Sequence, residues 1–317
     1  MAIDNIGSFN ASQIGDISTA EFAALTTAQI SQIKASSVSG VSSDQFRVIT
    51  SSQLQALSAS QIMGLIETQL AYMGVGDSGT APVGINVLTT AQIQAIETRD
   101  IDGLTTDQLN SFTTDDLNAL TTRQIGALTS AQVSALSTSK LGQLTSSQVA
   151  SIGSIQFSAL GTAQIDALGT DQIAALNTRQ IVSLTTDQAA SLDSDVLGAL
   201  TSSQLRAMES ADLAALGTDQ LADLGTDGIS ALTSRQLQTL ATDQVAGLGS
   251  DQVAALGTRE VASLTSTQVQ ALTSDQLIAL GTDKIDEIGS LQFSAMGTDQ
   301  IDALGTDQIA ALNTRQI

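Results

Sequence analysis

The chain has 317 residues, with no cysteine, histidine or tryptophan, and its 11 basic against 32 acidic residues leave a formal charge of −21. Without Cys or His it builds no disulfide, zinc finger or iron–sulfur cluster, and no Cys-His or Ser-His-Asp nucleophile; the charge repels nucleic acid and anionic lipid. With 42% hydrophobic and only 14% charged residues it is too apolar for a disordered tail, so it is expected to bury surface using small aliphatic side chains.

The first residues, MAIDNIGSFN, carry neither a basic nor an apolar signal region, and no stretch reaches the roughly 18 apolar residues of a membrane span. From Phe9 to Tyr72 the sequence falls into units of eight residues, for example Leu25-Thr26-Thr27-Ala28-Gln29-Ile30-Ser31-Gln32. Residues 1–72 are therefore taken as degenerate octads forming a cap or assembly region, since end units of a repeat stack are atypical. The segment MGVGDSGTAPVGINV at 73–87 breaks the phase by one residue and holds the sole proline, Pro82, and four glycines; it is expected to be a loop or joint.

From Leu88 onward the octads run without insertion to Ile317, where the chain stops inside the twenty-ninth copy. The regular region 88–317 thus reads as a repeat array cut short at its C-terminus. Leu168-Gly169-Thr170-Asp171-Gln172-Ile173-Ala174-Ala175 is a typical copy, with positions labelled a to h. Position a is large and apolar, b is mostly Thr or Gly, c is Thr or Ser in all 29 copies, and e is Gln in 21 of them. Position f is large and apolar except at Ala189, and h is almost always Ala, Gly or Ser.

A helix in each octad fits better than a strand in a β-solenoid, the alternative. The step from f to the next a is three residues, which places both on one helix face, and Gln, Ala and Leu favour helix. The invariant c hydroxyl followed by Asp at d suggests an N-cap and an acid at the helix start. Each helix should then run from d to the next a, about six residues or roughly 9 Å, too short to survive alone. Small h residues should let helices approach closely, and Gln at e should donate its amide to carbonyls of an adjoining octad. The expected fold is an all-α solenoid of very short helices; with two octads per layer it would rise in about 14 layers of roughly 10 Å each.

Sharper motifs give way to plainer readings. GVGDSG at 74–79 matches G-x-G-x-x-G but lacks the preceding strand that dinucleotide binding requires. Ser139-Lys140 and Asp115-Asp116 are ordinary repeat positions, and no octad departs from the pattern as a catalytic site would. Asp283, Asp286 and Glu287 belong on a solvated face; no EF-hand or nonapeptide calcium roll fits, which leaves only weak, diffuse Ca2+ binding. No catalytic, cofactor-binding or metal residue is assigned, and the chain is read as a non-enzyme.

The run of LTTDQ, LTSAQV and LGTDQIAAL units resembles the repetitive regions of very large secreted bacterial surface proteins, often labelled adhesion or haem-utilisation exoproteins. That resemblance implies an extracellular or cell-surface structural role with export independent of an N-terminal signal peptide. Haem finds no support, because only methionines and Tyr72 could serve as axial ligands. The expected function is a structural fibre, layer or spacer whose partners are further copies of itself, and conceivable cell-surface components, with no nucleic acid and no membrane span. The alternatives are an adhesin stalk that contacts a glycan, surface or protein through d-position arginines such as Arg99, Arg123, Arg179, Arg235, Arg259 and Arg315, and an intracellular scaffold.

Overall fold

In most octads the a and b residues are extended and the chain then turns into one and a half turns of helix. At Leu128 and Thr129 the backbone has φ/ψ of −57/140 and −72/160, and the helix Ser130–Ala135 follows. The computed structural model describes residue 3 and residues 5–73 and 85–317. Over these it is all-helical, with short α-helices, a few 3-10 turns and no strand among the described residues. The helices run from c to h, one residue earlier than the octad pattern suggested.

The chain forms two compact units, Met1–Leu160 and Gly161–Ile317. Within each, a helix packs on the third helix before and the third after it: Ala11–Gly15 on Ala35–Val38 and then Ala59–Met63 in the first unit, Thr218–Asp223 on Ser194–Ala199 and Thr242–Ala246 in the second. One layer is therefore three octads, or 24 residues, where the length figure above supposed two. Three helices enclose each layer, and their a and f residues fill the interior. Ile93, Ile96, Ile101, Leu104, Leu109 and Phe112 make up one such set, none more than 3% exposed. Burying each contributes roughly 1.5–3 kcal/mol, which is what holds helices of this length.

The N-terminal octads are full members of this coil. They have the same buried a and f residues, such as Phe22, Leu25, Ile30 and Ile33. The segment 73–87 lies inside the first unit, and its residues 74–84, with the GVGDSG match, are outside the described residues. On either side Met73 and Ile85 are buried like an a and an f residue, and Ile85–Val87 packs on Ser51–Gln55 below and Thr106–Ser111 above. The amide of Gln92 bonds the carbonyls of Leu54 and Leu57, 38 and 35 residues back. Where the bonds do not span 73–87 these offsets are 31 and 28, so the register advances by seven residues across it.

Small h residues have the expected purpose. A Cβ on Gly40 would lie 1.9 Å from the carbonyl oxygen of Ala11, and one on Gly64 or Gly103 would lie 2.4 Å from that of Ala35 or Glu67. These h glycines press on the c backbone of the layer below; at Thr239 the larger side chain instead donates a hydrogen bond to the Ser210 carbonyl at 3.4 Å.

Candidate functional site

The feature repeated most faithfully is the glutamine at e. At Gln124 the side-chain oxygen accepts from the backbone N–H of Thr121 at 2.8 Å and from its hydroxyl at 3.0 Å, while that hydroxyl accepts from the Gln124 N–H at 3.3 Å. This reciprocal pair is a capping box, and it corrects the expected cap: the N-cap is b, not c. The amide nitrogen of Gln124 donates to the carbonyls of Ile93 and Ile96, both at 2.8 Å. The expected amide-to-carbonyl bond thus exists, but it reaches the f-to-a turn one coil below. Gln124 is 2% exposed, and every polar valence of its side chain is engaged, as a buried amide requires.

Repetition turns this into a ladder. In the first unit Gln61, Gln132 and Gln148 bond to carbonyls 28 and 31 residues back; in the second Gln204, Gln236 and Gln268 do the same. Each glutamine closes its own helix start and pins that helix to the layer beneath it.

The sequence held the signal for the true cap. Thr, Ser, Gly, Asn and Asp at b are the N-cap residues, among which Gly costs only a few tenths of a kcal/mol, and b-x-x-Gln is the capping-box spacing. The invariance of c drew attention away, yet no partner common to the c hydroxyls exists among the described residues; the structure does not explain that invariance. Thr121→Ala should therefore cost about 1 kcal/mol and Thr122→Ala only a fraction of that, by urea unfolding; equal losses would return the cap to c.

Eight octads of 88–317 lack the glutamine, and they show what its place accepts. Lys140 and Lys284 put an ammonium there, donating to the carbonyls of Phe112 and Ala254. Lys140, read with Ser139 as two ordinary repeat positions, is turned into the coil. Asp116 keeps only the accepting half, taking the Thr113 N–H at 2.8 Å and hydroxyl at 2.7 Å, while Asp115 is exposed. At Gly228 and Lys284 the preceding turn changes: Leu224 and Leu280 are helical rather than extended, and Gly225 and Gly281 take φ of 64 and 70. Around Asp100 the α-helix becomes a 3-10 turn, Thr98–Gly103.

Two of the gaps in the second unit hold carboxylates with raised pKa values. Where Val196 replaces glutamine, Asp166 accepts the Asp193 backbone N–H, the group a glutamine would have taken, and its Oδ1 is buried without a partner. Burial raises the Asp166 pKa above the ordinary aspartate value, the Asp193 carboxylate adds to the rise, and the N–H bond opposes it. A folded-state pKa above the unfolded one favours folding most when the group is protonated, and that contribution is lost as pH climbs through the raised pKa. Asp166→Asn should accordingly raise the thermal midpoint at neutral pH, with the advantage vanishing below the usual carboxylate range; a gain independent of pH would contradict this. Asp212, itself at e, is 2% exposed. Burial chiefly raises its pKa, the Thr186 hydroxyl lowers it, and the charge of Glu209 raises it further.

The outer surface is set by d and g. Arg99, Arg123, Arg179, Arg235, Arg259 and Arg315 are all exposed, as are Asp283, Asp286 and Glu287. Arg99 makes the ion pairs found among the described residues, with Glu97 at 2.6 Å and Asp100 at 3.5 Å. Among those residues no three acidic side chains converge as a metal group, and no helix is long and apolar enough to cross a membrane.

The ALTTAQ repeat family matches residues 93–130, 110–146, 143–178, 205–242, 226–258, 245–282 and 282–314. These stretches cover more than half of the chain, which belongs to that family. No curated protein matches it. The octads at 9–72, outside the matched stretches, share the same ladder geometry through Gln45, Gln53, Gln61 and Gln69.

Proposed function

We infer that this chain is a non-enzymatic structural protein of the bacterial cell surface, a spacer or fibre lengthened octad by octad and joined to further copies of itself. The observation that carries the reading is the glutamine ladder: the buried polar groups of the repeat are spent on the coil, layer after layer, while the exposed d and g positions vary most freely. A chain organised this way gains length with each added octad, and nearest-neighbour stacking makes stability nearly additive along it. Unclosed head-to-tail contact between such coils yields filaments. Protease shaving and antibody labelling of intact source cells test the location: the protein should be cleaved and labelled from outside, and full protection in unbroken cells would overturn the assignment. Electron microscopy at high concentration tests assembly, with compact single particles alone as the contrary result.

A second reading, an adhesin stalk, is favoured by the six exposed d-position arginines on an otherwise acidic surface. Their joint replacement by glutamine should abolish attachment if they bind a target and leave it unchanged in a pure spacer.

A further inference from the structure

The socket beneath each e residue is an acceptor pair. For Gln204 it consists of the carbonyls of Ile173 and Leu176 at 2.7 and 2.9 Å, and for Gln236 those of Leu205 and Met208 at 2.8 and 2.9 Å. The same register assigns the carbonyls of Ile181 and Leu184 to Asp212. Aspartate is one methylene shorter than glutamine and, when ionised, has no donor to offer them. Its Oδ1 accepts from the Thr186 hydroxyl at 3.0 Å, while Oδ2 is buried with no partner. Asp116, an e aspartate of the first unit, avoids this by turning to the N–H and hydroxyl of Thr113. In the Asp212 octad the b residue is Glu209, which makes no side-chain cap bond and offers no such hydroxyl.

A buried carboxylate with one unpartnered oxygen and a hydroxyl beside it, in a register that assigns two backbone carbonyls to its octad, is a set of hard oxygen donors lacking a positive centre, and buried charges are paired or coordinate a cation. The same place takes positive charge elsewhere: the Lys140 ammonium donates to the a carbonyl of Phe112, and that of Lys284 to the g carbonyl of Ala254 beside its socket. We propose that the socket formed by Asp212 and the backbone carbonyls of Ile181 and Leu184 binds a monovalent hard cation, sodium or potassium. The charge count selects the monovalent class: one buried carboxylate balances one unit, Glu209 is exposed, and a calcium ion draws six to eight oxygens, commonly several of them carboxylate. The site is independent of where the protein resides or what it attaches to.

The test is amide hydrogen exchange on the full chain, read at residues 209–216, in sodium, potassium, choline and calcium chlorides at equal ionic strength. Exchange should slow about tenfold in sodium or potassium relative to choline, the protection expected when the ion is present at about ten times its dissociation constant. The more protective of the two identifies the preferred ion. Asp212→Asn should remove the difference between salts. Asp212→Gln, which restores the residue of the regular ladder and so guards against a variant that fails to fold, should be slow in every salt. Equal protection in choline, persistence of the salt difference in either variant, or protection by calcium at far lower concentration than sodium would each overturn the proposal.

Discussion

Gln268→Glu should lower the unfolding free energy by about 3 kcal/mol at neutral pH, and Gln268→Lys by distinctly less. Gln268 is 2% exposed and donates to the carbonyls of Leu237 and Leu240 at 2.7 and 2.8 Å, while accepting the Thr265 N–H at 2.9 Å. Glutamate preserves the accepting half and the shape. It deletes both donors and sets a carboxylate against two carbonyl oxygens in a place poor in water, where unpaired polar groups are most costly. Lysine deletes the accepting half instead, but Lys140 and Lys284 already show an ammonium donating at this place. The natural Glu260 fits the same logic: it is only half-buried, and the Ser234 hydroxyl donates to it at 3.5 Å. Urea unfolding followed by circular dichroism should rank Gln above Lys above Glu, and acidification should recover part of the Glu loss as its carboxyl becomes a donor. Equal stability of the two variants would remove the ladder from the energetics of the fold.

Gly40→Ala should be nearly as damaging, at about 2–3 kcal/mol, as overpacking against backbone is. The added Cβ would stand 1.9 Å from the Ala11 carbonyl oxygen, 2.5 Å from its carbon and 2.6 Å from its Cα. None of these atoms belongs to a flexible side chain, so the helix Ala11–Gly15 must move bodily. Gly198→Ala is the counterpart. It lies within the helix Ser194–Ala199, and nothing stands within 4 Å of the new Cβ, so alanine should add about 0.5–1 kcal/mol through helix propensity. Thermal unfolding of the two variants should move in opposite directions; a common direction would contradict the close approach of h to the layer below.

The octad, its helix and its small h residue were legible in the sequence because many copies repeat one local pattern, so local propensity and the f-to-a spacing spoke together. The cap was misplaced by one position because invariance at c outweighed the chemistry of b, where Gly hides the cap in many copies. The number of octads per layer was not legible from the consensus: an octad looks the same whether two or three complete a coil. One trace was present in the exceptions. Asp116 and Lys140, and again Glu260 and Lys284, are opposite charges at e separated by 24 residues, the length of one layer. The reach of glutamine to a turn 28 to 31 residues earlier was likewise hidden, since hydrogen bonds between distant octads leave no local spacing to read.

Cysteine crosslinking in this cysteine-free chain tests the three-octad coil most directly. Asp219 and Asp243 are exposed d residues 24 apart on stacked helices, Thr218–Asp223 and Thr242–Ala246, and should lie within about 8–10 Å, the spacing of packed helices. Arg235 is 16 residues from Asp219 and would stack on it only in a two-octad coil. A short bismaleimide should join Asp219→Cys to Asp243→Cys rapidly and leave the Asp219→Cys, Arg235→Cys pair unlinked; preferential linkage of the second pair would show that the layers, and the glutamine ladder built on them, are wrong.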